Sequence, residues 1–107
     1  MTDQRRTLER EILLALWKIH ALHHAAQEPI YGNGLLKELR RHGYDPSPGT
    51  IYPMLARMLR HGWLRQEPSD DNANSTRILY TITPLGRETL AEITSKVEEV
   101  HRELRNG

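Results

Sequence analysis

The segment SPGTIYPMLARMLRHGWL, residues 47–64, is the part of the chain from which the rest can be interpreted. Ser47 suits the N-cap of a helix, and Pro48 suits the first helical position because no amide hydrogen is left unpaired there. Gly62 suits the position just past a helix end, where the backbone often turns left-handed. These three signals predict a helix over residues 48–61.

Pro53 is an unusual feature of this helix. If Ser47 is the cap, Pro53 is the sixth helical residue and removes a backbone hydrogen bond, at a cost of up to ~3 kcal/mol. If Thr50 is the cap instead, Pro53 lies in the first turn and costs little. We favour Ser47. In either case the helix begins irregularly, and departures from local rules often mark functional sites.

Two helices are predicted before this segment. A stripe of residues spaced three or four apart indicates a first helix over residues 5–26. The stripe at this spacing consists of Leu8, Ile12, Leu16, Ile19 and His23. Other apolar residues widen it to most of the circumference, so we expect a second chain to cover part of it. Asn33 is the candidate N-cap of a second helix over residues 34–42, with Gly43 just beyond its end.

A hairpin and a fourth helix are predicted after the segment. Residues 63–67 and 77–82 are typical of two short strands joined by a polar, turn-forming stretch. The apolar face of the second strand comprises Ile78, Tyr80 and Ile82. Thr83 and Pro84 begin the last helix. Its apolar residues follow the spacing of a coiled-coil seam, which comprises Leu90, Ile93, Val97, Val100 and Leu104.

The order of these elements defines the expected fold. We predict a mainly α chain with a small β-hairpin: a winged helix-turn-helix DNA-binding domain over residues 1–82, with its wing at 63–82, and a C-terminal dimerisation helix over residues 83–107. In this arrangement the N-terminal residues of the third helix enter the DNA major groove. The expected dimer interface combines the seam of the last helix with Leu8, Ile12 and Leu16 of the first.

Positive charge is concentrated in the same part of the chain. The net charge of all 107 residues is only +1, but residues 37–65 carry six basic and two acidic side chains. The basic residues are Lys37, Arg40, Arg41, Arg57, Arg60 and Arg65. A confined cationic surface indicates a polyanionic partner, although basic residues on two helices also serve solubility alone. Because charge and element order agree, double-stranded DNA is the expected partner.

Candidate DNA contacts follow from this arrangement. The amides of Gly49, Thr50 and Ile51 are expected to be free first-turn donors for a phosphate. Arg57 is the preferred direct contact, because arginine makes bidentate contacts to guanine. Tyr52 either contacts DNA or packs between the second and third helices. The expected phosphate-positioning side chains are Lys37, Arg40, Arg41 and Arg60. Arg77, at the base of the wing, either places the wing near the minor groove or belongs to a plain loop.

The first helix carries two further candidate sites. His20 is spaced to share a metal ion with His23 or His24. No acid or cysteine nearby in the sequence completes such a site, so we predict partly buried polar residues and no metal. Trp17 is either a core residue, which we favour, or a wall of a ligand pocket between subunits, with His20 as the second pocket residue.

The composition excludes several classes of protein. The chain has no cysteine, which excludes disulfides, thiolate nucleophiles and cysteine-based metal sites. No apolar run approaches the roughly 20 residues that span a bilayer, and the N-terminus lacks the apolar block of a signal peptide, so we expect a cytoplasmic location. No nucleophile–base pair, phosphate loop or paired-carboxylate site indicates an enzyme, and no cofactor is expected.

The motifs in this chain resemble those of the PadR-like family of prokaryotic transcriptional regulators. Residues 47–55 followed by residues 59–64 are similar to the family signature SPGTLYP…L…L…G(L/W)(L/I). Residues 80–86, YTITPLG, resemble its junction between wing and last helix. Residues 30–39, IYGNGLLKEL, are similar to its entry to the second helix.

The resemblance covers about residues 8–105 and implies a homodimeric repressor whose C-terminal helix packs against the partner subunit, often on its first helix. It also implies small-molecule effectors, often planar phenolics or drugs, held near the dimer interface. Tyr31 and Asn33 stand where the family usually has histidine and tyrosine. The family's motif residues carry over at the start of the recognition helix as Ser47, Gly49, Thr50, Tyr52 and Pro53.

Three functional hypotheses result. The leading one is a dimeric DNA-binding repressor with a small aromatic effector, for which two-fold symmetry predicts a pseudo-palindromic operator. The second is a winged helix used for protein–protein interaction without DNA binding, because the wing tip is acidic at Asp70 and Asp71. The third is a small histidine-dependent metalloenzyme.

Overall fold

The computed structural model of the chain describes residues 2–67 and 77–107. Three helices come first, then a two-stranded hairpin, then a long fourth helix. The elements are α1 (Thr2–Ala25), α2 (Gly32–Arg41), α3 (Pro48–Arg60), β1 (Leu64–Glu67), β2 (Leu79–Ile82) and α4 (Pro84–Asn106). The predicted fold class, a mainly α winged helix with a small hairpin, is confirmed. Across the described residues, no helix is both long and apolar enough to cross a membrane.

The core lies where α1, α2, α3 and the hairpin meet. Each contributes apolar side chains, and burying one of these stabilises the fold by about 1.5–3 kcal/mol relative to exposure. The largest fully buried side chains are Leu39, Ile51, Met54, Leu55, Met58 and Leu64. Met54 therefore belongs to the core, although its spacing from Thr50 and Arg57 would place all three on one side of α3.

The stripe predicted to be buried on α1 does not form the core of this chain. The buried residues of α1 are Trp17, Ala21, Leu22 and Ala25. Of the predicted stripe, Leu8 and Ile12 are 59% and 50% exposed, His23 is exposed, and Leu16 and Ile19 are only half-buried. The spacing correctly identified an apolar face, but spacing carries no information about which neighbour covers that face.

The start of α2 also differs from the prediction. Its N-cap is Tyr31, which has extended φ and ψ of −132° and 160° and makes no side-chain cap hydrogen bond, so Asn33 is the second residue of the helix and not its cap. The reason is tertiary. Ile30 forms a pair of backbone hydrogen bonds with Tyr80, at 2.9 and 2.7 Å, which holds the chain extended up to Tyr31.

The boundaries of α3 follow the local signals in the sequence. Ser47 is the N-cap, Pro53 lies inside the helix, and Gly62 past its end has a φ of +81°. The Ser47 hydroxyl does not cap a backbone amide but donates to the hydroxyl of Thr50 at 3.1 Å. Gly43, after α2, has a φ of +95°, which L-residues with a side chain rarely adopt.

The hairpin forms the wing. Its strands are antiparallel, with Leu64 opposite Ile82 and Glu67 opposite Leu79. Tyr80 and Ile82 face the core as predicted, but Ile78 lies before the strand and is exposed. The wing tip, including Asp70 and Asp71, lies outside the described residues.

The junction between wing and α4 is closely packed. The Thr83 hydroxyl accepts a hydrogen bond from the Gly86 amide at 3.0 Å and donates to the Gly62 carbonyl at 2.5 Å. It therefore caps α4 and ties α4 to the end of α3. Gly86 is buried against the Trp63 carbonyl. Beyond this junction α4 leaves the core, and residues 94–107 are all exposed.

Candidate nucleic-acid interface

One side of α3 is free of core contacts. Gly49, Pro53, Arg57 and Arg60 are all exposed, because the apolar residues Ile51, Met54, Leu55 and Met58 occupy the opposite side. The helix thus presents a continuous face that carries two arginines and has little side-chain bulk at its N-terminal end.

The first turn of α3 offers fewer free amides than the sequence predicts. The amides of Thr50 and Ile51 both donate to the Ser47 carbonyl, at 3.1 and 3.0 Å. Within the described parts of the chain, the Gly49 amide has no acceptor. A Cβ added at Gly49 would meet only the Ser47 hydroxyl, 3.8 Å away. The helix start therefore provides one amide, at its most open point, for an anion.

Pro53 changes the same turn. Having no amide hydrogen, Pro53 cannot donate to the Gly49 carbonyl, so the helix lacks one internal hydrogen bond on its exposed face. Among the described residues, Gly49 therefore has an amide without an acceptor and a carbonyl that lacks the usual donor four residues later.

Tyr52 packs on α2 without being fully covered. A Cβ at Gly32 would lie 2.2 Å from the Tyr52 ring, so the ring packs against the backbone of α2 at a point that only glycine allows. The side chain of Tyr52 nevertheless remains 47% exposed. Packing on α2 holds the ring in place while part of it still faces solvent.

A cleft of about 310 Å³ lies between α2, Tyr52 and the wing. Lys37 lines it from α2, and Arg77 lines it from the base of the wing. The Arg77 guanidinium lies over the Tyr31 ring, 4.8 Å from its centroid, a cation–π contact worth about 0.5–1 kcal/mol at an exposed site. Burial raises the pKa of Tyr80, which also lines this cleft, so its phenol is neutral at physiological pH.

The predicted phosphate contacts fall into two groups. Of the predicted DNA contacts, Lys37, Arg40, Arg57 and Arg60 are exposed and form no ion pair with any residue that the structure describes. Arg41 instead pairs with Glu38, which it contacts at 2.5 and 3.3 Å. This hydrogen bond lowers the pKa of the Glu38 carboxyl.

The residues predicted at a dimer interface are largely uncovered. Val97 and Val100 are 46% and 49% exposed, and Leu104 is 76% exposed. Leu90 and Ile93 are half-buried, and Leu90 packs against the chain's own core. Together with Leu8 and Ile12 on α1, these side chains form an apolar surface on two long helices.

The two predicted effector-pocket residues lie in different places. Trp17 is 8% exposed, packs edge-on against Tyr44 with ring centroids 6.0 Å apart, and lines a cleft of about 330 Å³ that reaches Ser47 and Thr50. His20 does not line that cleft. Its ring packs against Tyr44 and against His42 of the α2 end, with centroids 5.6 and 4.9 Å apart.

Sequence reasoning missed a histidine and a carboxylate. The fold brings His42 and Glu38 from the end of α2 next to His20 and His24 of α1. The only signal in the sequence was that Glu38 and His42 are four residues apart, as are His20 and His24, so that each pair shares one side of a helix. Nothing in the sequence indicated that the two pairs face each other.

Comparison with known proteins gives a consistent result. Residues 21–92 match the profile of the transcriptional regulator PadR-like family. The chain is 42% identical to the transcriptional regulator Rv3488 of Mycobacterium tuberculosis over 98 residues, which cover 92% of this chain and 91% of that protein.

Solved structures share the fold. A PadR-like transcriptional regulator from Bacillus cereus superposes with a TM-score of 0.76 at 28% identity, covering 94% of both chains. PadR of Bacillus subtilis, solved in complex with operator DNA, superposes with a TM-score of 0.64 at 18% identity, covering 74% of this chain and 46% of that one. From the profile match and the 42% identical relative, the chain belongs to the PadR-like family of transcriptional regulators.

Proposed function

We propose that this regulator binds operator DNA as a homodimer and inserts the N-terminal half of α3 into the major groove. The observation that carries the proposal is the exposed face of α3, where Gly49, Pro53, Arg57 and Arg60 stand free of the core. PadR of Bacillus subtilis, which has the same fold, was solved with operator DNA. The relatives are described as transcriptional regulators and not as enzymes. A DNA-binding role implies a cytoplasmic location.

The proposed DNA contacts are of two kinds, those that can distinguish bases and those that bind phosphates. Arg57 lies one turn beyond the groove-entering residues and is assigned to a base edge or an adjacent phosphate. Lys37, Arg40 and Arg60 are assigned to phosphates, which supply affinity and register but no sequence information. The start of α3 contributes the Gly49 amide together with the side chains of Ser47, Thr50, Tyr52 and Pro53. Arg77 and Arg41 contribute charge nearby but are already engaged, with Tyr31 and Glu38.

The homodimer rests on the uncovered apolar surface of α1 and α4. A helix of 23 residues is roughly 35 Å long, and the second half of α4 has no cover within the described chain. Packing α4 of one protomer against α1 of its partner would bury the seam residues together with Leu8, Ile12 and Leu16. Two-fold symmetry would then present two α3 helices to a pseudo-palindromic operator, with half-sites about one or two helical turns apart.

We assign the effector to the cleft beside Trp17. This cleft combines an indole wall with two arginines, Arg6 and Arg10, and two acids, Glu9 and Asp45, so it offers a small aromatic molecule a stacking surface together with charged hydrogen-bond donors and acceptors. It also reaches Ser47 and Thr50 at the start of α3. A ligand in this cleft would contact the segment that contacts DNA, which is the physical basis for a repressor controlled by an effector.

Replacing Arg57 with alanine tests the DNA interface. We expect operator affinity to fall by about 1–3 kcal/mol and the dependence of affinity on salt to flatten by about one unit of slope, because one cationic contact is lost. The measurement is fluorescence anisotropy with DNA from upstream of the chain's own gene, at several salt concentrations.

Arg105→Ala is the matched control, because Arg105 is an exposed arginine on the last turn of α4, outside the proposed interface. It is expected to bind as the unmodified protein does. If Arg57→Ala left both affinity and salt slope unchanged, Arg57 would not contact the operator.

Replacing Gly49 with alanine separates the interface from the fold. The added methyl group has open space in the free protein, so folding stability is expected to be unchanged or slightly raised. In the complex the same methyl group would hold a phosphate away from the Gly49 amide, and we expect about tenfold weaker operator binding. Unaltered operator binding would show that the backbone at Gly49 does not approach DNA closely.

A further inference from the structure

Three histidine side chains from two helices converge on one point of the surface. His20 and His24 lie one turn apart on α1, and His42 is the C-cap of α2. Each offers a ring nitrogen, and these three atoms all lie within 4.8 Å of one another. Three nitrogens bound to one zinc ion at about 2.0–2.1 Å lie about 3.3 Å apart in a tetrahedron, so small side-chain rotations close the difference.

A carboxylate completes the group. The Glu38 Oε1 atom lies 3.4 Å from His42 Nε2 and 3.8 Å from His24 Nε2. Glu38 and His42 share one side of α2, just as His20 and His24 share one side of α1. Glu38 does not belong to the group of three converging nitrogens, but it borders two of them and can supply an oxygen as the fourth ligand of a four-coordinate ion.

The partial burial of His20 and His24 favours metal binding. The Nε2 atom of His24 is buried and has no hydrogen-bond partner among the described residues, an arrangement that costs about 1–3 kcal/mol unless something satisfies it. Burial is the main cause that lowers the pKa of His20 and of His24, and the neighbouring histidines lower the pKa of His20 further.

Arg41 competes for the carboxylate but does not close the site. Its guanidinium contacts both oxygens of Glu38, yet its side chain is 69% exposed and free to swing into solvent. It can also keep its hydrogen bond to Oε2 while Oε1 turns to a cation. Such an outer contact would orient the carboxylate.

We propose that His20, His24, His42 and Glu38 form a binding site for a divalent transition-metal ion, with Zn²⁺ as the best match. Three imidazoles disfavour Mg²⁺ and Ca²⁺, which take oxygen ligands. A bound ion would join α1 to the end of α2, the first helix of the helix-turn-helix, and would stabilise that packing. The proposal rests on the geometry of these four side chains and does not depend on DNA binding.

Metal binding by the full-length, metal-free protein tests the proposal directly. We expect isothermal titration calorimetry with ZnCl₂ to show one tight ion per chain, a Zn²⁺-dependent rise in Tm, and no comparable response to MgCl₂. With Co²⁺, intense visible absorption bands should report four-coordinate nitrogen and oxygen ligation.

Substitutions then locate the site. His42→Ala removes an exposed ligand at a helix end and is expected to weaken Zn²⁺ binding by more than about a hundredfold while the far-ultraviolet circular dichroism stays unchanged. Glu38→Gln, which keeps the side-chain shape, is expected to weaken it by about tenfold or more. His23→Ala is the matched control, since His23 is an exposed neighbour of His24 on the same helix and its Nε2 bonds to Gln27 at 3.1 Å.

Each outcome decides the question. Loss of binding in His42→Ala and Glu38→Gln with retention in His23→Ala would support the site. Absence of Zn²⁺ binding by the unmodified protein would overturn it, as would binding that survives both substitutions or is lost equally in His23→Ala.

Discussion

Replacing Val97 with aspartate is expected to convert the proposed dimer into monomers and to weaken operator binding by about 10²–10⁴-fold. Val97 lies in the middle of the α4 seam and is 46% exposed, and in the proposed dimer the partner protomer covers it. A carboxylate at this point would have to lose its hydration in the dimer without gaining a partner, which costs several kcal/mol. A monomer holds one half-site at a time and loses the gain from simultaneous binding. Light scattering measures the mass, and anisotropy measures the affinity.

Ser95→Asp is the control for charge. It introduces the same carboxylate on the same helix, but about 200° away around the axis from Val97, on the polar side. We expect it to remain dimeric. A Val97→Asp protein that stayed dimeric would refute the seam assignment. A monomeric variant with unchanged operator affinity would refute the proposal that the dimer binds both half-sites at once. It would still support the assignment of the seam to the dimer interface.

Replacing Gly86 with alanine is expected to destabilise the fold by about 3 kcal/mol or more. An added Cβ would lie 2.2 Å from the Trp63 carbonyl oxygen and 2.7 Å from a side-chain carbon of Ile82. The closer atom belongs to the backbone, and that carbonyl also accepts the Thr83 amide at 3.1 Å, so it cannot move away without breaking the junction of wing and α4. Urea denaturation followed by circular dichroism gives the change in the free energy of unfolding.

Gly49→Ala serves as the stability control for Gly86→Ala. Both glycines lie in the first turn of a helix, but the space around Gly49 is open. The difference in stability between the two variants therefore measures the close approach of α4 to the wing and not the general effect of removing a glycine. Equal stabilities would mean that α4 does not pack on the Trp63 carbonyl as described.

Local chemistry explains which features were predictable from the sequence. Ser47 and Pro48 began α3 where expected, Gly62 followed its end, and Thr83 capped α4, because capping depends on residues within one turn of each other. The order of elements, and with it the winged-helix class, followed from these signals. The same signals led to the prediction that Gly49, Pro53 and Arg57 of α3 are available to DNA, and all three are exposed. The number of free amides was predicted wrongly, because the amides of Thr50 and Ile51 donate to the Ser47 carbonyl.

Features that depend on a distant neighbour were not predictable in the same way. Tyr31 became the cap of α2 because Ile30 pairs with Tyr80, about fifty residues later. Arg41 was counted with the phosphate contacts, but Glu38 holds it. Tyr52 packs against Gly32, where any side chain would collide with the tyrosine ring, and Gly32 lies on another helix.

By itself the sequence determined the types of the elements, their order, their ends and the concentration of positive charge on the helix-turn-helix, because each depends on residues near one another along the chain. Only the tertiary structure decided which apolar face of α1 lies inside the chain and which stays exposed. It alone brought His42 and Glu38 to His20 and His24. Helical periodicity shows which residues share a face of a helix, but it does not show which element covers that face. The covering element is set by the packing of the whole chain.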